Sequence, residues 1–230
     1  MTYQIRREQL TEYFDQTASK AWAQLTSDEP LTGIRATVRA GRDEMRATIL
    51  ERLPRDLSGK RLLDAGCGTG AFAVAAAERG AQVTAIDVSH NLIEIARART
   101  PDRLEDDIDY RVGDMCDAQL GEFDYVVAMD SLIHYQPKDV VAVLRDFAAR
   151  CRHSIQFTFA PHTYALATMH FVGRLIPHRR HRAPSIVPIV ERRLQESLHS
   201  EVARQGWEVG NSKRVTSGFY ISQTMELSHR

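Results

Sequence analysis

A glycine-rich segment between a predicted strand and a predicted helix is the strongest chemical signal in this 230-residue chain. An apolar strand leads into the sequence DAGCGTG at positions 64–70, and a helix begins directly after it. Glycine at Gly66 and Gly68 lets the backbone turn sharply and approach a ligand closely, and Gly70 allows the helix to pack against the strand. The spacing is G-x-G-x-G, not the G-x-G-x-x-G typical of a dinucleotide site. Asp64 stands where its carboxylate can accept a hydrogen bond from an ammonium group of a ligand.

Further acidic residues follow the next strands at the same predicted edge of the sheet. Asp87 ends the second strand, where it can accept hydrogen bonds from both ribose hydroxyls of an adenosyl group that Val88 also contacts. Asp114 ends the third strand and can accept from an adenine amino group, with Met115 against the ring, although a surface turn would explain Asp114 equally well. Asp130 follows the fourth strand, close to the predicted reaction centre.

The segment from residue 60 to residue 159 alternates short β-rich runs with helical runs, a pattern typical of a parallel sheet with helices on both faces. The predicted strands are 61–64, 82–87, 108–112, 125–129 and 154–159. The predicted helices are 71–79, one with Ser89 as its N-cap, and 138–150 after Pro137. A helix over 189–205 and two strands, 207–215 and 219–227, complete the predicted fold, and this antiparallel pair argues against a NAD-binding domain.

The flanking segments differ in pattern from this core. Ile34, Val38, Met45, Ile49 and Leu53 recur at helical spacing and predict an amphipathic helix that packs on the sheet. The expected domains are therefore a helical lid at 1–58 and a ligand-binding domain at 59–230. Within the latter, 161–188 forms a substrate-side insertion with a helix at 164–175.

The acidic and glycine motifs from Asp64 to Asp130 resemble, in order, those of class I methyltransferases that use S-adenosylmethionine. The resemblance covers about half of the chain. It implies an α/β, Rossmann-like fold with a mostly parallel seven-stranded sheet that ends in an antiparallel hairpin. It also implies S-adenosylmethionine as the methyl donor and S-adenosylhomocysteine as the product.

A closer resemblance covers most of the chain up to Pro161. The sequence MDSLIHY at 129–135, the aromatic residues Tyr13, Phe14 and Trp22, the segment VRAGR at 38–42 and the segment FTFAP at 157–161 resemble magnesium-protoporphyrin IX O-methyltransferases. This family implies methylation of one propionate carboxylate of Mg-protoporphyrin IX, an early step of (bacterio)chlorophyll biosynthesis.

The same resemblance suggests roles on the substrate side. His134 is expected to orient the carboxylate by a hydrogen bond, and Tyr13 to close the lid over the methyl donor. Tyr135 is expected to contact the substrate. Independently of the resemblance, Arg179, Arg180 and Arg182 form a basic cluster that suits carboxylates, a membrane surface or an acidic partner, and a solvated loop would explain it equally well.

Composition narrows the classes of function. Lys plus Arg and Asp plus Glu are both 30, which argues against a general nucleic-acid binder. The three cysteines lack C-x-x-C spacing, so no protein-bound metal is expected, and magnesium would enter with the porphyrin. The first residues lack the apolar run of a signal peptide, and the chain lacks an apolar run long enough to span a bilayer. We therefore expect a cytoplasmic protein with possible peripheral contact with photosynthetic membranes.

Two other functions compete with porphyrin methylation. A quinone or phenol O- or C-methyltransferase would use the same fold, with His134 as its base. A non-catalytic porphyrin carrier would not need the donor motif.

The family resemblance also implies transfer of the porphyrin from the porphyrin-binding subunit of magnesium chelatase.

Overall fold

The computed structural model describes residues 2–27, 30–162 and 185–229, without the side chains of 17–21. The helices are α1 (Tyr3–Tyr13), α2 (Ser19–Leu25), α3 (Gly33–Arg52), α4 (Ala71–Ala77), α5 (His90–Arg99), α6 (Pro137–Ala148) and α7 (Glu191–Val202). One π-helical turn, Phe14–Ala18, joins α1 to α2. The strands are β1 (Arg61–Ala65), β2 (Gln82–Asp87), β3 (Ile108–Val112), β4 (Phe123–Ala128), β5 (Cys151–Phe159), β6 (Trp207–Ser217) and β7 (Tyr220–His229).

The seven strands form one sheet in the order β3-β2-β1-β4-β5-β7-β6. The first five are parallel, whereas β7 runs antiparallel to both β5 and β6. The chain order reverses between β1 and β4, and in open α/β sheets such a point places ligands beyond the carboxyl ends of the strands. The predicted class I methyltransferase fold, including its terminal antiparallel hairpin, is therefore confirmed.

Local signals in the sequence explain where several helices begin and end. The Ser89 hydroxyl accepts a hydrogen bond from the Leu92 N–H, which caps α5 as predicted. Pro137 occupies the first turn of α6, where its missing N–H costs nothing. Gly206 adopts a left-handed conformation directly after the helical segment that precedes β6.

The hydrophobic core covers both faces of the sheet. Leu62 and Leu63 are both fully buried, but they belong to different clusters because successive side chains of a strand point to opposite faces. One cluster includes side chains of α6 and α7, and the other includes side chains of α3, α4 and α5.

The predicted apolar stripe of α3 is only partly buried. Met45 and Ile49 are fully buried against the sheet, as expected for an amphipathic helix. Ile34, at the other end of the predicted stripe, is 56% exposed, so this end of the helix does not pack on the sheet. The first turn of α3 extends past the edge of the packed surface, and helical spacing alone does not show where that surface stops.

Gly41 on α3 is needed for close packing against β7. A Cβ at this position would lie 2.9 Å from the Tyr220 Cβ and would overlap the ring. We predict that Gly41→Ala lowers the free energy of unfolding by about 1–3 kcal/mol, because overpacking outweighs the better helix propensity of alanine. Urea denaturation measures this change. Ala40→Gly, at the exposed neighbouring position, measures the helix-propensity difference between alanine and glycine without the contact with Tyr220. A more stable Gly41→Ala protein would contradict the packing.

The substrate-side insertion falls largely outside the described residues, which include only its ends. At those ends the chain is fixed to the sheet, since the Ile189 N–H donates to the Ala160 carbonyl and the His162 N–H donates to the Ile189 carbonyl at 2.8 and 2.9 Å. The predicted helix at 164–175 and the proposed division at residue 58 stay predictions. Among the helices of the described segments, none is long and apolar enough to cross a membrane.

Candidate functional site

The larger of two adjoining cavities has a volume of about 490 Å³ and lies at the carboxyl ends of the parallel strands. Its wall is mostly apolar and aromatic, with a few convergent polar groups, as is typical of small-molecule sites. It includes residues from the N-terminal helices, the glycine loop, the loop after β4 and the β6–β7 hairpin. A second cavity of about 210 Å³ adjoins it and shares Leu25, Arg42, Gly66 and Met129 with it.

The glycine loop forms one wall of the large cavity. Gly66 has φ +82°, and a Cβ there would overlap the Ser131 side chain in the loop after β4. The Asp87 carboxylate accepts hydrogen bonds from the Gly68 N–H at 2.9 Å and from the Ser89 N–H at 3.0 Å. These bonds fix the second-strand acid against the glycine loop at the cavity wall, which also includes Val88.

Asp64 is a buried carboxylate with an unused oxygen. It is 1% exposed and contributes to the wall of the smaller cavity, and among the described residues its Oδ2 has no hydrogen-bond partner. Burial, and after it the nearby Asp87 charge, raise the pKa of Asp64 to about 7, although the Ala73 N–H and Arg42 oppose the shift. An unpaired buried carboxylate is costly, so this oxygen is suited to a cationic or N–H-bearing ligand.

Asp130 lies at the end of β4 in a left-handed backbone conformation, with φ 55°. Arg42 Nη1 donates to its Oδ2 at 2.7 Å. The Ser222 hydroxyl donates to its Oδ1 at 3.1 Å, and the Tyr220 hydroxyl lies 3.1 Å from both carboxylate oxygens. The Thr158 hydroxyl donates at 3.2 Å. The carboxylate is thus paired and surrounded by donors, so its charge is largely balanced before any ligand enters.

Asp114 contacts the first helix rather than the cavity wall. Its carboxylate accepts hydrogen bonds from the Tyr3 hydroxyl at 2.6 Å, from the Arg7 guanidinium and from the Cys116 N–H. Met115 is buried and belongs to the cavity wall, and its predicted contact with an adenine ring stays a prediction. The predicted adenine contact of Asp114 stays a prediction.

Aromatic residues of the N-terminal segment face the loop after β4 across the large cavity. Phe14 packs edge-on against Tyr13 and Trp22, with ring centroids 5.3 and 5.7 Å apart. The His134 ring lies 6.4 Å from Phe14, and its Nδ1 is 3.5 Å from the Ser185 carbonyl oxygen. Tyr135 is buried and stacks on Tyr3.

Most of the predicted site residues therefore meet around one space. The large cavity includes the candidates Tyr13, Gly66, Gly68, Asp87, Val88, Met115, Asp130, His134 and Tyr135. Asp64 faces the smaller cavity, and Gly70 packs under Tyr110 of β3, where a Cβ would lie 2.5 Å from the hydroxyl. Arg179, Arg180 and Arg182 lie outside the described residues.

Comparison with known proteins agrees with this geometry. A model of the C-terminal part of magnesium-protoporphyrin IX methyltransferases matches residues 128–229, and a methyltransferase-domain model matches 62–154. A magnesium-protoporphyrin O-methyltransferase from Rhodobacter capsulatus is 46% identical over 96% of this chain and 95% of its own length. The chain belongs to the magnesium-protoporphyrin O-methyltransferase family.

Other similarities are either more distant or partial. The crystal structure of magnesium protoporphyrin IX methyltransferase from Synechocystis with bound S-adenosylhomocysteine is 22% identical, with a TM-score of 0.79 over 96% of this chain and 98% of that one. A ubiquinone biosynthesis O-methyltransferase from Xanthomonas oryzae pv. oryzae is 34% identical, but over only 59% of this chain and 60% of its own length. The magnesium-protoporphyrin O-methyltransferase family is thus matched across nearly the whole chain.

The sequence did not predict every residue of the cavity wall. Arg42, Tyr220 and Ser222 all donate hydrogen bonds to Asp130, although each is at least 88 positions away from it in the sequence. The only sequence signal for Arg42 was its place in the VRAGR segment of α3. Tyr220 and Ser222 gave no signal, because a hydroxyl that faces a cavity resembles any other residue of a strand.

Proposed function

We propose that this protein transfers a methyl group from S-adenosylmethionine to a propionate carboxylate of Mg-protoporphyrin IX and yields the monomethyl ester. The observation that carries this proposal is the match to the Rhodobacter capsulatus enzyme, which extends over both the donor motifs and the substrate side of the chain. A quinone or phenol acceptor is less well supported, since the ubiquinone enzyme matches only about three-fifths of the chain.

The residues around the two cavities fit the methyl donor. The unused Asp64 oxygen suits its ammonium group, the glycines leave room for close backbone approach, and Asp87 suits its ribose hydroxyls. When bound, the donor supplies a sulfonium methyl group that a carboxylate oxygen can attack. Asp64, Gly66, Gly68 and Asp87 would hold it.

The acceptor needs little activation. A propionate has a pKa near that of Glu, about 4.3, so it is already ionised at neutral pH and requires no general base. The protein must then align the carboxylate oxygen and keep water away from it. The mostly apolar wall of the large cavity suits a flat porphyrin, which would displace water when it binds.

The charge distribution of the site also suits an anionic acceptor. An unpaired Asp130 would repel a propionate, but its charge is balanced by Arg42 and by the hydroxyls of Tyr220 and Ser222. His134, which lines the cavity, would donate a hydrogen bond to the reacting carboxylate. Tyr13, in the same wall, would help to enclose the methyl donor.

The first test is a turnover assay with His134→Ala. We expect wild-type protein to add one methyl group to Mg-protoporphyrin IX, detected by mass, and the variant to lower kcat by about 10–100-fold because the carboxylate is no longer aligned. The affinity for S-adenosylhomocysteine, measured by calorimetry, should be unchanged.

The control for this test is His153→Ala, since His153 is half exposed beside Asp124 and lies outside the walls of both cavities. It should leave both measurements unchanged. An absence of ester from wild-type protein that still binds S-adenosylhomocysteine would reject the porphyrin as acceptor. Equal turnover by wild type and His134→Ala would reject the role of His134.

We further propose that the porphyrin is received directly from the porphyrin-binding subunit of magnesium chelatase. Supporting features are the apolar cavity and Phe219, which contributes to its wall and is 51% exposed. Peripheral contact with photosynthetic membranes through 164–188 and its basic cluster is also a proposal, and residues 163–184 lie outside the described segments. A faster single turnover from the preformed chelatase–porphyrin complex than from free porphyrin would support direct transfer, and a slower one would oppose it.

A further inference from the structure

Arg42 lies at the junction of the two cavities. It extends from α3 toward the end of β4, and it belongs to the walls of both the larger and the smaller cavity. Its Nη1 donates to Asp130, and its guanidinium lies 4.8 Å from the centroid of the Trp22 ring. These two contacts fix the planar group in one orientation, which a flexible surface arginine would lack.

The guanidinium has more donors than the protein uses. Arginine carries five N–H donors, and among the described residues Asp130 is the one acceptor of a hydrogen bond from Arg42. Asp130 in turn accepts from Tyr220, Ser222 and Thr158, so its negative charge is shared among four side chains. The Arg42 side chain is only 19% exposed, and its remaining N–H groups adjoin the ligand space.

We propose that Arg42 binds a ligand carboxylate at this junction, which would make it a carboxylate-recognition residue of the site. A planar guanidinium matches a carboxylate in geometry and charge, and partial burial strengthens the pairing. This inference rests on the proposed function, which brings two carboxylate-bearing molecules to the site. One is the amino-acid head of the methyl donor, and the other is the propionate of the acceptor.

The smaller cavity provides complementary charges for an amino-acid head. Asp64 offers an unused carboxylate oxygen there, and Arg42 is close enough for its charge to lower the pKa of Asp64. An ammonium and a carboxylate on one carbon would therefore find an acceptor and a donor in the same space. In the larger cavity, the same guanidinium borders the apolar wall where a propionate would enter.

Calorimetry with paired ligands tests this proposal and distinguishes the two sources. Arg42→Met should weaken binding of S-adenosylhomocysteine by about tenfold to a hundredfold while leaving its decarboxylated analogue, which keeps the amine, unaffected. Alternatively, it should weaken binding of Mg-protoporphyrin IX by a similar factor while leaving its dimethyl ester unaffected. A merely structural role would change the affinity for acid and matched non-acid alike.

Further variants serve as controls for this test. Arg52→Met makes the same substitution on the same helix outside both cavities, at a side chain that donates to the Asn211 carbonyl, and should change neither ligand pair. Arg42→Lys keeps a charge beside Asp130 but loses the planar fork, so it should show a smaller selective loss. If Arg42→Met fails to fold, the double variant Arg42→Met/Asp130→Asn removes both charges, and the same ligand pairs are measured with Asp130→Asn as reference.

Selective loss in either ligand pair supports the proposal and names the source of the carboxylate. Equal effects on acid and non-acid in both pairs would overturn it and leave Arg42 as the structural partner of Asp130. The S-adenosylhomocysteine pair does not depend on porphyrin turnover. Failure of the proposed function would therefore appear separately, as absence of ester from wild-type protein.

Discussion

Asp64→Asn should weaken binding of S-adenosylhomocysteine by about a hundredfold and, at the same time, stabilise the ligand-free protein. The first effect follows because asparagine removes the negative charge that a ligand ammonium would pair with inside the protein, and a buried hydrogen bond to a charged group is worth about 1.5–3 kcal/mol. The second effect follows because the wild-type protein buries this carboxylate with an oxygen that has no partner among the described residues.

The direction of the stability change with pH follows from the pKa of Asp64. Burial and the Asp87 charge raise this pKa from 3.8 to about 7, so between these values the folded protein holds a proton that the unfolded chain has released. Stability therefore falls as pH rises from about 4 to about 7, and the loss is complete above that range. Asp64→Asn lacks this loss and should be more stable by about 2–4 kcal/mol at pH 8.

The affinity for the ligand should show the opposite dependence on pH. Wild-type protein needs an ionised Asp64, so its affinity for S-adenosylhomocysteine should fall below about pH 7, by at most about tenfold per pH unit. Asp64→Asn should lack this component of the pH profile. Calorimetry from pH 5.5 to 8.5 and urea denaturation over the same range measure the two effects; these pH limits are roughly centred on the pKa of Asp64.

A matched ligand keeps this test specific. The analogue 5′-methylthioadenosine lacks the amino-acid head, so Asp64→Asn should bind it as well as wild-type protein does. If both ligands lose affinity equally, Asp64 acts on the glycine loop as a whole and not on the ammonium group.

The scaffold of this protein is predictable because its signals are local. The strand β2 has the predicted bounds of 82–87, because a short β-rich run between two helical runs has few other solutions. Ser89 caps the following helix because its hydroxyl accepts a hydrogen bond from the N–H of Leu92, only three positions later, and such a cap is visible in the sequence. The glycine loop is likewise specified by adjacent residues.

The surroundings of the acidic residues are not predictable in this way. Asp114 follows β3 directly after Gly113, yet its carboxylate accepts hydrogen bonds from Tyr3 and Arg7, more than a hundred positions earlier. Nothing in the local sequence of α1 indicates which strand end its polar side chains will meet. Such contacts follow only from the packing of one element on another.

Asp130 has a position that the sequence predicts and contacts that it does not predict. Its place after β4 was predicted from the order of strands, but its partners come from α3, β5 and β7. Gly41 explains how α3 approaches closely enough, because it leaves space for the Tyr220 ring. The neutral environment that an anionic acceptor needs is therefore a product of tertiary structure.

Asp130→Ala should lower the free energy of unfolding by about 3–5 kcal/mol, because it leaves the partly buried Arg42 without its partner. The hydroxyls of Tyr220 and Ser222 also lose their acceptor, and alanine is strained in the left-handed conformation at φ 55°. Asp130→Asn should lose less than half as much, since asparagine tolerates this conformation and keeps an acceptor oxygen. Urea denaturation at pH 7 measures both variants.

The exposed ion pair of Asp43 and Arg46 on α3 is the control for this prediction. It shows how much stability is lost when an ion pair is broken without leaving a buried charge unpaired. Asp43 is 50% exposed there, so Asp43→Ala should cost no more than about 1 kcal/mol. Adding Arg42→Met to Asp130→Ala should restore part of the lost stability, because the buried cation is removed together with its missing partner. If Asp130→Ala and Asp43→Ala cost the same, or if Arg42→Met adds a full further loss, Asp130 does not balance a buried charge. The approach of an anionic porphyrin to this strand end would then need another explanation.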